Sequence, residues 1–178
     1  MKHTLIVMIG ASGIGKSYLA KYIQDTHDDC VIVSRDKIRF AMLHDDDDYF
    51  EYENEVERNF YSAITTMLRT HKYVIADATH LTVKSRRKLF NNITLPSGTH
   101  VIGVCIEAPL SIALRQNAMR EGRARVPEKA IRRMYKYKVS PQEGEPFDEL
   151  IFISREHDLA IGSKSAKLES AFNKLKEI

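Results

Sequence analysis

From Thr4 to Gly10 the chain is apolar up to a closing glycine, and it passes without a break into Ala-Ser-Gly-Ile-Gly-Lys-Ser. No other stretch limits the possible folds as tightly. An apolar run with no polar alternation is what a strand buried on both faces requires. Gly10-Ala11-Ser12-Gly13-Ile14-Gly15-Lys16-Ser17 then fits the spacing GxxxxGK[ST] throughout. From Lys16 onward Leu19, Ala20, Tyr22 and Ile23 recur at helical spacing. A strand, a glycine-rich turn and a helix N-terminus in that order make an anion cradle. The glycines let the backbone curl so that its N–H groups point inward, and the helix terminus adds partial positive charge. The cradle suits the phosphates of a nucleoside triphosphate, with Lys16 reaching the β- and γ-phosphates and the Ser17 hydroxyl available to Mg²⁺.

The rest of the chain repeats the alternation. Cys30 to Ser34, Tyr73 to Asp77, His100 to Ala108 and Glu149 to Ser154 read as further strands. Helices are expected from near Asp36, over Glu53 to Thr70, around Ser85-Arg86-Arg87-Lys88-Leu89-Phe90, over Leu110 to Arg120 and over Pro127 to Tyr137. Strands alternating with helices predict an α/β chain of the P-loop NTPase fold, with a central parallel sheet flanked by helices and a helical lid near 115–138. The 178 residues read as one domain spanning 1–178. Glu156 to Ile178 reads as an amphipathic helix that can pack on the sheet or form a contact in a homo-oligomer.

Composition narrows the classes. A formal net charge of +3 gives no bulk positive excess of the kind that marks a nucleic-acid binder, so charge must be judged locally. Cys30 and Cys105 sit in apolar runs, as small buried hydrophobes do, and no CxxC or His/Cys cluster points to zinc. No apolar stretch is long enough to span a bilayer, so no membrane partner is expected, and a reduced, cytoplasmic protein is the simpler reading. The run from Asp45 to Asp48, with Glu51, Glu53, Glu55 and Glu57, is read as a solvated face or loop, with a ligand-binding role as the alternative.

Residues just past strand ends line the ligand crevice of a parallel sheet. Asp36 lies just past the second strand, where a carboxylate can take the proton of an attacking hydroxyl. Arg39 is one helical turn on and can share its face, holding the acceptor or the transferred phosphoryl group. The alternative is a capping aspartate with an i,i+3 ion pair. Asp77 closes the third strand, where an acidic side chain can support Mg²⁺ or its water shell or, alternatively, serve as a helix cap or turn aspartate, and Thr79 and His80 can line the same crevice. His80 carries little weight, since a lone histidine is more often structural.

Between Arg115 and Lys138 stand Arg115, Arg120, Arg123, Arg125, Lys129, Arg132, Arg133, Lys136 and Lys138 against only Glu121 and Glu128. Gly122 and Pro127 divide the segment into helix, turn and helix. Arg120, Arg123 and Arg125, near the turn, are best placed to close over a triphosphate and exclude water.

Four blocks in this order resemble the kinase domain of the bacteriophage 5′-hydroxyl polynucleotide kinases, within the small P-loop kinases. They are residues 10–17, residues 34–39 (Ser-Arg-Asp-Lys-Ile-Arg), residues 75–81 followed by Ser85-Arg86-Arg87, and residues 115–136. Residues 40–53 are similar to that family's acidic segment after its catalytic aspartate. The resemblance implies transfer of the ATP γ-phosphate to the 5′-hydroxyl end of DNA or RNA, with ATP and Mg²⁺ as cofactors. It implies Lys16, Asp36, Arg39 and Arg120 as catalytic residues. Gly10, Ser12, Gly13, Ile14, Gly15, Lys16, Ser17, Tyr18, Arg120, Arg123 and Arg125 would hold the nucleotide. Asp36, Arg39, Asp77 and Thr79 would meet the acceptor, and Ser17 and Asp36 the metal. The chain departs from the family at Gln116, where an arginine often precedes the asparagine, and at His80, where the family has asparagine. It has no D-x-D-G-T motif, so no 3′-phosphatase activity is expected. Two other readings stand beside this one: a small-molecule P-loop kinase, and a non-kinase ATP-binding P-loop protein.

Overall fold

The computed structural model describes residues 2–44, 46–155 and 173–178. Five parallel strands form one sheet: β1 (Thr4–Ile9), β2 (Cys30–Ser34), β3 (Tyr73–Asp77), β4 (His100–Glu107) and β5 (Glu149–Ser154). Their spatial order is β2-β3-β1-β4-β5. The helices are α1 (Lys16–Thr26), α2 (Arg35–Met42), α3 (Glu53–Met67), α4 (Val83–Asn92), α5 (Leu110–Ala118) and α6 (Glu128–Tyr137). The parallel sheet flanked by helices is the P-loop kinase-like fold that the alternation predicts.

The unbroken apolar sequence of β1 has a direct cause, since every residue of the strand is buried. Side chains alternate between faces along a strand. Ile6 and Met8 pack with Leu19, Ala20 and Ile23 of α1 and with Ile112 and Ala113 of α5. Leu5, Val7 and Ile9 pack on the opposite side with Phe60, Tyr61 and Ile64 of α3 and Leu89 of α4. Two apolar layers thus grip the central strand.

Strand β1 is also where the winding reverses. The chain crosses from β1 past the position of β3 to β2, returns through β3, and then moves to the other side of β1 with β4. The crevice above such a reversal is open because the loops leaving neighbouring strands diverge. The loops after β1, β2 and β3 bound it here.

Local chemistry sets the element ends. Ser34, not Asp36, caps α2: its hydroxyl accepts from the Lys37 amide at 3.4 Å, which leaves Asp36 in the first turn. Thr82 and Ser85 cap α4 reciprocally. Arg86 is fully buried and donates to both Glu145 oxygens, at 2.6 and 2.8 Å, and to the carbonyls of His80 and Val139. It ties the connection between α6 and β5 to the sheet. Cys30 is half-buried, Cys105 is buried, and both are free thiols. The segment expected as a final amphipathic helix lies outside the described residues from 156 to 172, and residues 173–177 are helical. Among the described residues no helix is long and apolar enough to cross a membrane.

Candidate active site

A cavity of about 390 Å³ opens above the C-terminal ends of β1, β2 and β3. Its floor is the loop from residue 10 to 17. Gly13 has φ +83, and a Cβ there would lie 2.6 Å from the Ala113 carbonyl oxygen, so the loop is packed against α5 through a residue that cannot carry a side chain. Gly15, at φ 99, caps α1 in a left-handed conformation that turns the chain from loop to helix. Ser12, Gly13, Gly15, Lys16, Ser17 and Tyr18 line the cavity. Gly10 and Ile14 do not: the Gly10 amide donates to the Thr79 carbonyl at 2.9 Å, and the Ile14 side chain is buried in the core. Both serve the cradle from behind.

The Lys16 ammonium donates to the Ala11 carbonyl at 2.6 Å. Burial pulls its pKa down to about 8, against the opposing pull of Asp77 and Asp36. A lysine so desolvated is poised to gain from an anion placed beside it. The Ser17 hydroxyl donates to Asp77 Oδ2 at 2.8 Å. Burial raises the Asp77 pKa, while Lys16 and the Ser17 hydrogen bond hold it down in part. The hydrogen-bond partner of Ser17 is Asp77, and Asp36, the other residue expected at the metal, lines the same cavity. Among the described residues no three metal-ligating side chains cluster. Two hard oxygens facing an anion cradle suit Mg²⁺, which keeps several waters and takes phosphate oxygens beside one or two protein ligands.

Asp36 and Arg39 share one face of α2 and both line the cavity. Arg39 is buried and Asp36 is largely exposed. One Arg39 nitrogen donates to Asp36 Oδ1 at 2.5 Å, and the other donates to Glu53 Oε2 at 2.7 Å. The Tyr49 hydroxyl lies 3.2 Å from the same guanidinium and 3.4 Å from Asp36 Oδ1. Burial is the largest single influence and opposes the Arg39 charge, but the Glu53 hydrogen bond and the charges of Tyr49, Glu53 and Asp36 together outweigh it, and the pKa rises. The i,i+3 ion pair offered as the alternative to catalysis is thus present, inside the cavity. The two readings are not exclusive.

Glu53 corrects the reading of the acidic run as a solvated face. Asp46, Asp48, Glu51 and Glu55 are exposed. Glu53 and Glu57 turn inward: Glu53 pairs with Arg35 and Arg39, and Glu57 with Arg35 and Lys88. Arg35 and Arg39 are four apart on α2, and Glu53 and Glu57 four apart on α3, so two matched ladders face each other. Each i,i+4 spacing is visible in the sequence, but that the two ladders face each other is decided by how α2 and α3 pack.

The lid divides in a similar way. Arg120 lines the cavity, as do Val126, Ala130 and Met134. Arg123 instead donates to the His44 carbonyl, and Arg125 lines a separate hollow between α5 and α6. Neither is among the residues that line the cavity. Asn117, buried beneath the turn, bonds the Val126 carbonyl at 2.7 Å and its amide at 2.9 Å, which fixes where the turn bends. Ile131 of α6 is buried in the core, while Arg132 pairs with Glu128 at the surface. Gln116 lines the cavity and accepts from Arg155 at 3.3 Å. Arg155, also missed, donates to the Ile14 carbonyl at 2.7 Å and so braces the phosphate loop from the end of β5.

Thr79 lines the cavity beside Asp77. His80 does not; it is buried with its Nδ1 2.9 Å from the Met8 carbonyl, and burial pushes its pKa down to about 4. Its role is structural.

A family model described as an AAA domain matches residues 5–139. Among curated proteins no match to the sequence is found. Solved structures share the fold. A chain of the Pnkp1/Rnl/Hen1 RNA repair complex has 22% identity and a TM-score of 0.63, over 76% of this chain and 43% of that one. A fungal RNA kinase has 14% identity and a TM-score of 0.61, over 96% and 42%. A gluconokinase from Sinorhizobium meliloti 1021 has 16% identity and a TM-score of 0.58, over 98% and 92%. This chain therefore spans less than half the length of either RNA-processing chain.

Proposed function

The chain belongs to the AAA domain family, and from that premise we propose that it is an ATP-dependent phosphotransferase acting on the 5′-hydroxyl ends of DNA or RNA. The observation that carries the reading is the placement of Asp36 and Arg39 in one cavity with Lys16 and Ser17. A base and a cation on the acceptor side face a phosphate cradle on the donor side. The sequence blocks shared with the 5′-hydroxyl polynucleotide kinases, and the likeness of fold to an RNA kinase, support the choice of acceptor.

In this reading Asp36 accepts the proton of the acceptor hydroxyl as its oxygen attacks the γ-phosphorus in line. The bond from that phosphorus to the bridging oxygen breaks, and ADP leaves. Lys16 and Arg120 stabilise the charge spread over the γ-phosphoryl oxygens. Arg39, held by Glu53, orients Asp36 and the phosphate on the acceptor side. Ser17 and Asp77 would hold Mg²⁺, which supplies charge neutralisation at the phosphates. The lid limits water near the cradle, which suppresses hydrolysis.

A second reading, a small-molecule kinase, draws on the gluconokinase likeness, which extends over nearly the whole of both chains. Transfer from γ-labelled ATP with Mg²⁺ separates the two. The panel is 5′-hydroxyl DNA, 5′-hydroxyl RNA, 5′-phosphorylated controls, nucleosides and sugar acids. Label on 5′-hydroxyl oligonucleotides alone is the expected result. Label on a small acceptor alone overturns the polynucleotide reading. Acceptor affinity that falls steeply with salt is the accompanying expectation, because phosphate contacts release counterions.

A further inference from the structure

Two aromatic rings, Tyr49 and Phe50, line the cavity beside Arg39, and a third, Phe40, packs against Tyr49 without lining it. Phe40 on α2 and Tyr49 and Phe50 on the connection to α3 form an edge-to-face chain. The Phe40 and Tyr49 centroids are 6.2 Å apart at 70°, and those of Tyr49 and Phe50 are 4.8 Å apart at 80°. Phe50 is 61% exposed although it lines the cavity. A single exposed phenylalanine on a surface is ordinary. This one is tied to the chemistry: the Arg39 guanidinium carbon lies 4.8 Å from the Tyr49 centroid and 5.9 Å from that of Phe50, and the Tyr49 hydroxyl lies 3.4 Å from Asp36. Arg39 is engaged by Asp36, Glu53 and Tyr49, so the inner edge of the aromatic chain is fastened while the Phe50 ring stays open.

We infer that Phe50, braced by Tyr49, is a stacking platform for the nucleobase of the acceptor's 5′-terminal nucleotide. The inference rests on the polynucleotide reading above. In a nucleotide one ribose separates the 5′-oxygen from the base. A 5′-oxygen at Asp36 thus has its base one ribose away, and the Phe50 ring stands within that reach, since the Tyr49 hydroxyl is 3.4 Å from Asp36 and the Phe50 ring packs on Tyr49. Every base has a flat π-face, so an aromatic platform binds an end without selecting its sequence. A sugar acid has no such face, and its charge would be drawn to the guanidinium of Arg35 or Arg39 instead.

The test compares two 5′-hydroxyl oligonucleotides that differ only in whether the terminal 5′ residue carries a base or is abasic. Wild type, Phe50→Ala and Phe50→Tyr are assayed on both. Wild type is expected to favour the base-bearing end in kcat/KM by roughly 5- to 100-fold, as loss of one stacked base predicts. Phe50→Ala should erase that preference by raising KM for the base-bearing end alone, with KM for ATP unmoved. Phe50→Tyr should restore it. Equal use of both ends by wild type, or a preference that survives Phe50→Ala, overturns the platform and leaves the polynucleotide reading standing. Label on neither oligonucleotide overturns both.

Discussion

On the function proposed above, the donor and acceptor sides of the cavity are built on different principles. The donor side is backbone: a loop wedged between the core and α5, pinned through Gly13 and braced by Arg155 on the Ile14 carbonyl. The side assigned to the acceptor is side chains: Arg35, Arg39, Glu53, Glu57 and Asp36 in one ion network between α2 and α3, with the Tyr49 and Phe50 rings beside Arg39. Backbone N–H groups recognise a phosphate chain of fixed shape and hold it without rearrangement. A network of side chains can be retuned by one substitution, which suits the side that must choose among acceptors.

The contrast breaks most visibly in a pair of variants. Asp36→Asn should lower kcat by roughly 10²- to 10⁴-fold, the usual worth of a general base, with ATP affinity nearly unchanged. Lys16→Ala should damage both. Steady-state kinetics with equilibrium ATP binding checks the pair, and near-normal turnover in Asp36→Asn would remove the base assignment.

Gly13→Ala addresses the donor side alone. Its Cβ would sit 2.6 Å from the Ala113 carbonyl oxygen at a φ that L-residues disfavour, so the loop must move off α5. Loss of ATP binding and a lower Tm are expected by calorimetry and thermal unfolding. ATP affinity within about twofold of wild type would mean that the cradle is less rigid than described.

Glu53→Gln sharpens the acceptor side. Removing the charge that holds Arg39 should raise acceptor KM by about tenfold, the scale of a hydrogen bond to a charged group, and leave KM for ATP alone. A shift in KM for ATP instead would show that the two sides are coupled through Arg39.

The smallest effect is a proton count. With its pKa near 8, Lys16 is partly neutral in the free protein above neutral pH. A bound triphosphate favours the charged form, so ATP binding should take up a proton at pH 8–9 and fewer below pH 7, where Lys16 is already charged. The same sign applies to stability: the folded pKa lies below the unfolded value, so this group's contribution rises as pH climbs from about 8 towards 10.5. Calorimetry of ATP binding in buffers of different ionisation enthalpy reads the uptake. Equal uptake at pH 6.5 and pH 8.5 would contradict the Lys16 assignment.

The sequence by itself placed the strands, the glycine loop and the Asp36/Arg39 pair. Each rests on short-range patterns: a doubly buried apolar run, a glycine spacing followed by a helix, and Asp36 and Arg39 one helical turn apart. Asp77 belongs with them, because the end of a parallel strand places it at the crevice whatever its neighbours do. The tertiary structure alone decided which distant groups meet there. It joined Glu53 to Arg39, set Arg155 beneath the phosphate loop, gave Ser17 to Asp77, and turned Arg123 and Arg125 away while leaving Arg120 inside. Those outcomes depend on the order β2-β3-β1-β4-β5 and on how α3, α5 and α6 pack against the sheet. Charge spacing along one segment carries no record of the surface that segment will face, because that is set by burial of apolar side chains elsewhere in the chain.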